Sequence, residues 1–272
     1  MAAATTSLPE TPGGERNWDY RYTWIRDTGF MLRALHGLGL NWEAFEFFAF
    51  IVDALSVGDA GSPWDLQIMY GIGGERDLTE HALDHLSGYR GSRPVRIGNG
   101  AFDQRQHDVW GMLLDAVAEH FRNGGQVAPV AWEHIATLVD TAIERSTEPD
   151  QGIWEMRGEP KHFVASKVMC WVAADRGASL AELRGDDARA ERWRIAAAEI
   201  TADICANGVD HRGSFTQYYG SDALDASLLL IPLMGFLPPN DARVQATVRA
   251  VADELTEQGL VLRYRVDRTD DG

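Results

Sequence analysis

"GFMLRALHGLG", residues 29–39, sets Phe30, Leu32, Leu35 and Leu38 at helical spacing, and Gly39 offers a stop. "DARVQATVRAVADEL", residues 241–255, repeats the pattern with Val244, Val248, Val251 and Leu255 on one face. Extended along the chain, this periodicity predicts helices over about 25–39, 42–56, 104–122, 129–146, 164–182, 187–206, 222–234 and 241–258. No sustained apolar alternation marks a half-buried strand, and no strand–helix–strand rhythm is present. The expected fold is therefore all-α. The order helix, loop, helix, long polar loop suits helix pairs closed into a toroid, and suits a helical solenoid as well. Residues 1–16, rich in Ala, Thr, Pro and Gly, read as a linker-like lead-in. The stretch 58–103 is too long for a simple connector, and loops of that size carry function or pack as Ω-loops.

A hydrophobic share of 45% and a charged share of 24% belong to an ordinary globular chain rather than a disordered one. The net charge of −16 argues against a nucleic-acid binder, since a phosphate backbone needs clustered Lys and Arg, and no nucleic-acid partner is expected. No run approaches the ~18–20 apolar residues of a membrane span, and "MAAATTSLPE" lacks the basic start and apolar stretch of a signal peptide. Cys170 and Cys205 alone do not make a disulfide framework, which favours a reducing compartment. A cytoplasmic protein without a membrane partner is the expectation.

Three stretches carry candidate chemistry. In "NWDYRYTWIRD", residues 17–27, Trp18, Tyr20, Tyr22 and Trp24 alternate with polar residues, and Arg26 and Asp27 follow at a helix start. Rings stack on sugar faces, while Arg donates and Asp accepts hydrogen bonds from adjacent hydroxyls. The competing reading is an edge strand that packs its aromatics, with Asp27 as a helix N-cap. In "GYRGSRPVRIGNGAFDQRQHD", residues 88–108, Arg90, Arg93 and Arg96 are spaced by three among glycines that let backbone amides approach a ligand. An anion contact and a salt-bridged loop are both consistent with it. In "QGIWEMRGEP", residues 151–160, Glu155 follows Trp154. Partial desolvation beside the indole favours the protonated carboxyl, as a general acid near neutral pH requires. Glu159, before Pro160, reads as structural, pairing with Arg157 or Lys161. "EHALDH" places His81 and His85 at the helical zinc-pair spacing, but the HExxH pattern is missing and no metal is expected.

Taken together, "RNWDYRYTWIRDTGF", "DLQIMYGIGGERDL", "GYRGSRPVRIGN", "DQRQHDVWG", "GIWEMRGEPKHFVASKVMCWVAADRG", "GSFTQYYGSDALDASLLLIPLMGF" and "LVLRYRVDRTDDG" resemble glycoside hydrolase family 15, which comprises glucoamylases, glucodextranases and bacterial and archaeal trehalases. The resemblance implies an (α/α)6 barrel over 17–272, inverting hydrolysis of an α-glucosidic bond and release of glucose. Inversion needs one carboxylic acid for the leaving oxygen and one carboxylate for the attacking water. Glu155 falls where the family carries its acid. Arg26 and Asp27 match the pair that grips the terminal glucose, with Tyr20, Tyr22 and Trp24 beside them; Trp154 and Arg263 of "RYR" join that subsite.

The same resemblance implies that a β-sandwich domain normally precedes this region and that a Glu-Glu motif holding the base normally follows it. About eight of twelve barrel helices are then expected in this chain, with the acid present and the base absent. The implied partner is an α-glucoside, a short α-glucan or trehalose. No cofactor is implied, apart from phosphate in the trehalase branch, where Arg90, Arg93 and Arg96 would meet it. A non-catalytic carbohydrate-binding or regulatory α/α toroid is the alternative, and apolar faces left by missing helices would invite an oligomer.

Overall fold

The computed structural model describes residues 8–43, 45–46, 49–50, 66–125, 129–156 and 158–265. Two compact units succeed each other, 1–105 and 106–272.

In the first unit Thr23–Trp24 (β1) pairs antiparallel with Met69–Tyr70 (β2), Thr23 opposite Tyr70 and Trp24 opposite Met69. All four residues are buried, so this ladder is held by side-chain packing rather than by length. The helix Ile25–Gly37 (α1) starts directly from β1, and the Ile25 N–H donates to the Ile68 carbonyl at 3.0 Å. Its buried stripe is Ile25, Thr28, Leu32 and His36. The helix is where the periodicity put it, but the face is turned: of the four residues that signalled it, Leu32 alone is buried, and Phe30 and Leu38 are exposed. Hydrophobicity misplaced the stripe because Thr28 and His36 are satisfied inside it. The Thr28 hydroxyl donates to the Trp24 carbonyl at 2.8 Å, and His36 Nδ1 lies 2.9 Å from Asn41 Oδ1. Helical residues recur at 41–43, 45–46 and 49–50; residues 44, 47, 48 and 51–56 of the second predicted helix lie outside the described residues. Between Leu66 and Arg105 the polar stretch is organised by the pair His81–Ala82 (β3) and Arg96–Ile97 (β4), with a 3-10 turn at Tyr89–Gly91 between them.

The second unit holds Asp108–Arg122 (α2), Pro129–Arg145 (α3), Val164–Arg184 (α4) and Asp187–Asn207 (α5). Helix α4 packs against α2, α3 and α5 and is buried on nearly every face, its Lys167 and Arg176 being satisfied by the Ser146 and Glu148 carbonyls and by Asp115. Close approach is built in: a Cβ on Gly177 would meet Val139 Cγ2 of α3 at 2.6 Å. Gly185 ends α4 in the left-handed conformation, and Asp186 caps α5 by accepting from the Arg189 N–H at 3.2 Å.

The predicted helix 222–234 is instead an extended run to Asp225, a 3-10 turn Ala226–Leu229 and a single turn Leu230–Leu233 (α6). Asp225 delays the start because its backbone bridges Tyr264. Ala242–Leu255 (α7) then stops three residues before its predicted end. There Gln258 (φ 51°) and Gly259 (φ 82°) form the two-residue turn joining Thr256–Glu257 (β5) to Leu260–Val261 (β6). Among the described residues no helix is long and apolar enough to cross a membrane.

Candidate active site

In the second unit, the N–H of Asp150 donates to the carbonyl of Lys161 at 2.9 Å and the reverse bond is 2.8 Å. This closes residues 151–160 into a loop with a fixed base. Inside it Gly152 has φ 68° and lies against the Phe163 ring, where a Cβ would come within 2.9 Å. Glu155 has φ 60°, a left-handed conformation that non-glycine residues adopt only when their surroundings impose it. The residue before it is anchored from a distance. The Trp154 indole N–H donates to both carboxylate oxygens of Asp225, at 2.9 and 3.0 Å.

Asp225 is buried and also accepts from Gln217 Nε2 at 2.9 Å and from the Ser227 N–H at 2.7 Å. Burial pushes its carboxyl pKa up, against the opposing hydrogen bonds from Ser227, Trp154 and Gln217. The Arg263 guanidinium stands 5.7 Å from the Trp154 ring centre and 5.9 Å from that of Tyr264. Met156, Phe163 and Tyr264 form the apolar bed beneath, with Trp154 and Tyr218 packed on it. Thus Trp154, Glu155 and Arg263 are brought together, with Glu155 half-buried, while Glu159 is exposed.

Beneath the loop, Asp150 accepts from the His107 N–H at 2.8 Å, tying the loop base to the start of α2. Burial raises its pKa to about 7; the His107 bond and Lys167 pull the other way, and Asp108 adds to the rise. Lys167, itself buried, donates to the carbonyls of Ser146 and Glu148. Because the Asp150 pKa is higher folded than unfolded, the native chain holds the extra proton between about pH 4 and 7. Stability from this group is therefore greatest at low pH and declines as pH rises through that window. An Asp150→Asn variant keeps the acceptor for His107 but not the charge. Urea unfolding at pH 4.5 and 8 should show the variant gaining on the parent at the higher pH; an equal difference at both would refute it.

The remaining predicted residues lie in the first unit. Tyr20 and Tyr22 flank Trp24 with ring centres 5.7 and 6.3 Å away, tilted by 51° and 50°. Trp24 is buried, Tyr20, Tyr22 and Arg26 are half-buried, and Asp27 is exposed. Asp27 is not the N-cap: Trp24 occupies that position and Asp27 sits in the first turn of α1, where a negative charge favours the helix dipole.

Asp19, which the sequence reading passed over, organises this wall. Its carboxylate accepts from Arg21 Nε (2.8 Å) and Nη2 (2.7 Å), Tyr22 Oη (3.0 Å) and the Gly98 N–H (3.2 Å). Burial alone would raise its pKa, but the bonds from Arg21 and Tyr22 hold it below the usual value. The alternation of aromatic and polar residues hid it, since nothing local distinguishes Asp19 from a surface carboxylate.

Arg96 pairs with Glu80 at 3.0 Å, donates to the Glu15 and Asn17 carbonyls at 3.0 and 3.1 Å, and lies 4.6 Å from the Trp18 ring centre. Arg90 stacks over Tyr89, and Arg93 Nε reaches the Ser87 carbonyl at 3.5 Å; both are exposed. His81 belongs to β3 and His85 to the turn after it, so the helical zinc spacing does not apply to them. Among the described residues no group of three or more His, Cys, Asp or Glu side chains is placed to hold a metal ion.

Solved structures of similar fold include the following two. A glycosidase solved in complex with glucose superposes with a TM-score of 0.70 at 22% identity, covering 95% of this chain and 69% of its own. A bacterial glucoamylase complexed with acarbose gives 0.64 at 13% identity, covering 87% and 34%. At such identities the likeness establishes the fold, the all-α (α/α)6 class of the glucoamylases. The family follows from sequence. The family model "Glycosyl hydrolases family 15" matches residues 1–272. A trehalase of Mycolicibacterium smegmatis is 60% identical over 272 residues, which is 100% of this chain and 41% of that protein. The chain belongs to glycosyl hydrolases family 15, and it spans about two fifths of the length of that trehalase.

Proposed function

We propose that this chain carries the acid-bearing part of an inverting α-glucosidase and that the substrate is trehalose. The observation that supports this most directly is the setting of Glu155: a carboxyl held in a left-handed conformation beside an indole that a buried carboxylate anchors. The 60% identity to a trehalase over 272 residues supports trehalose rather than a longer α-glucan as the substrate.

In this reading the Glu155 carboxyl gives its proton to the glycosidic oxygen as the C1–O bond breaks. Water adds to C1 from the opposite face and loses its proton to a second carboxylate. That base is assigned to no residue of 1–272. In the second unit Arg263, over Trp154, is assigned to sugar hydroxyls beside Glu155. In the first unit Arg26 and Asp27, beside the Tyr20–Tyr22–Trp24 wall, are assigned to sugar hydroxyls on the family resemblance. Arg90 and Arg93, exposed on their loop, and Arg96 are the residues that would answer to phosphate.

The full-length protein should hydrolyse trehalose faster than maltotriose, releasing one β- and one α-glucose per trehalose by proton NMR before mutarotation. Release of α-glucose alone, or a preference for maltotriose, contradicts the proposal. Phosphate should raise the trehalose rate, and an unchanged rate removes the role for Arg90, Arg93 and Arg96.

A further inference from the structure

Asp225 carries more than a cap requires. Its side chain caps the turn Ala226–Leu229 by accepting from the Ser227 N–H, a task that Ser or Asn performs without a buried charge. The carboxylate nevertheless takes up the Gln217 amide and, through both oxygens, the Trp154 indole 71 residues away. Desolvating a carboxylate is costly unless its lone pairs are filled, and here the filling comes from a residue adjacent to the candidate acid. The backbone around Asp225 reaches the other side of the same site. Asp225 bridges Tyr264, and the Ala226 N–H donates to the Arg263 carbonyl at 2.8 Å. One residue thus joins the loop of Glu155 to the segment of Arg263.

Resting on the function proposed above, we propose that Asp225 is a positioning residue for the glycosidase reaction, fixing the Trp154 indole and through it the loop conformation that presents Glu155. Glycine would accept the backbone at Glu155 without help; a glutamate there needs the loop held on both sides. The loop base is held by the Asp150–Lys161 pair, and its tip by the Trp154–Asp225 bond.

The test measures trehalose turnover of the full-length protein and of Asp225→Asn, Trp154→Phe and the double variant. Asn retains one acceptor oxygen but turns an amide toward the indole or the Gln217 donor. Phe keeps a ring and removes the N–H. Displacing a catalytic group by about 1 Å costs on the order of a hundredfold. Asp225→Asn should therefore lose about ten- to a hundredfold in kcat with KM within about threefold, and the double variant should be no slower than Trp154→Phe. Unchanged kcat in Asp225→Asn, or losses that multiply in the double variant, overturns the proposal. If Asp225→Asn does not fold, Trp154→Phe breaks the same bond from the other end, and full kcat there overturns it equally. A Glu155→Gln control separates the two claims: turnover surviving in it sinks the function, whereas turnover lost in it but intact in Asp225→Asn sinks only the positioning role.

Discussion

Glu155→Gln in the full-length protein should lower kcat on trehalose by about 10²–10⁴, which is about 3–5 kcal/mol of transition-state stabilisation. The amide has the shape of the carboxyl, so the loop keeps its base pair at Asp150 and Lys161 and its Trp154 anchor. It cannot release a proton, and an alkoxide leaving without one is the step that general acid catalysis removes. Two companion measurements make the assignment specific. Glucose binding by calorimetry should survive, because the substitution leaves the neighbouring Arg263 and Trp154 untouched. An α-glucosyl fluoride, whose leaving group needs little protonation, should lose far less than trehalose does. Equal losses on both substrates would show that the substitution harms the site generally and that Glu155 is not the acid. If the parent protein binds glucose and turns over neither substrate, the non-catalytic carbohydrate-binding module becomes the better account.

What the sequence made legible follows from how far each signal reaches. The boundaries of α4 and α5 were readable to within two residues because stops and caps are local: Gly185 and Asp186 act on their own backbone. The two-residue ladders of β1–β2 and β3–β4 were invisible, since alternation cannot be detected over two residues and their partners lie far along the chain. Glu155 stood out because its neighbours Trp154 and Gly152 are unusual company for a carboxylate. Asp225 did not. An Asp two residues before Ser227 and an apolar run signals a cap, and nothing local announces an indole 71 positions earlier. The turned face of α1 has the same origin: Thr28 and His36 look polar in sequence, and only their hydrogen bonds make them fit for burial.

Gly111→Ala sets a local rule against a tertiary one. Gly111 lies inside α2, where alanine gains about 1 kcal/mol of helix propensity over glycine. Helix α4 passes so close that a Cβ there would stand 2.1 Å from the Met169 carbonyl oxygen and 2.7 Å from its carbon. These are backbone atoms in the middle of a buried helix, so no rotamer change relieves the overlap. The two helices must move apart, yet α4 is held on its other sides by α3 and α5. Overpacking costs about 1–3 kcal/mol even where side chains can yield; against backbone the upper end applies, and packing outweighs propensity.

A loss of about 2 kcal/mol lowers the melting temperature by roughly 4–8 °C in a domain of this size. Gly37→Ala is the control, since that position in α1 is exposed, within helix and has nothing within 4 Å of an added Cβ; it should not melt lower. A Gly111→Ala protein as stable as its parent would mean that α2 and α4 are not in contact at this distance. The displacement also has a route to the site. The start of α2 gives the His107 N–H to Asp150, and α4 follows Phe163 directly after the acid loop. Spreading the two helices pulls on both ends of the loop base, so trehalose turnover should fall below the level that the remaining folded fraction accounts for.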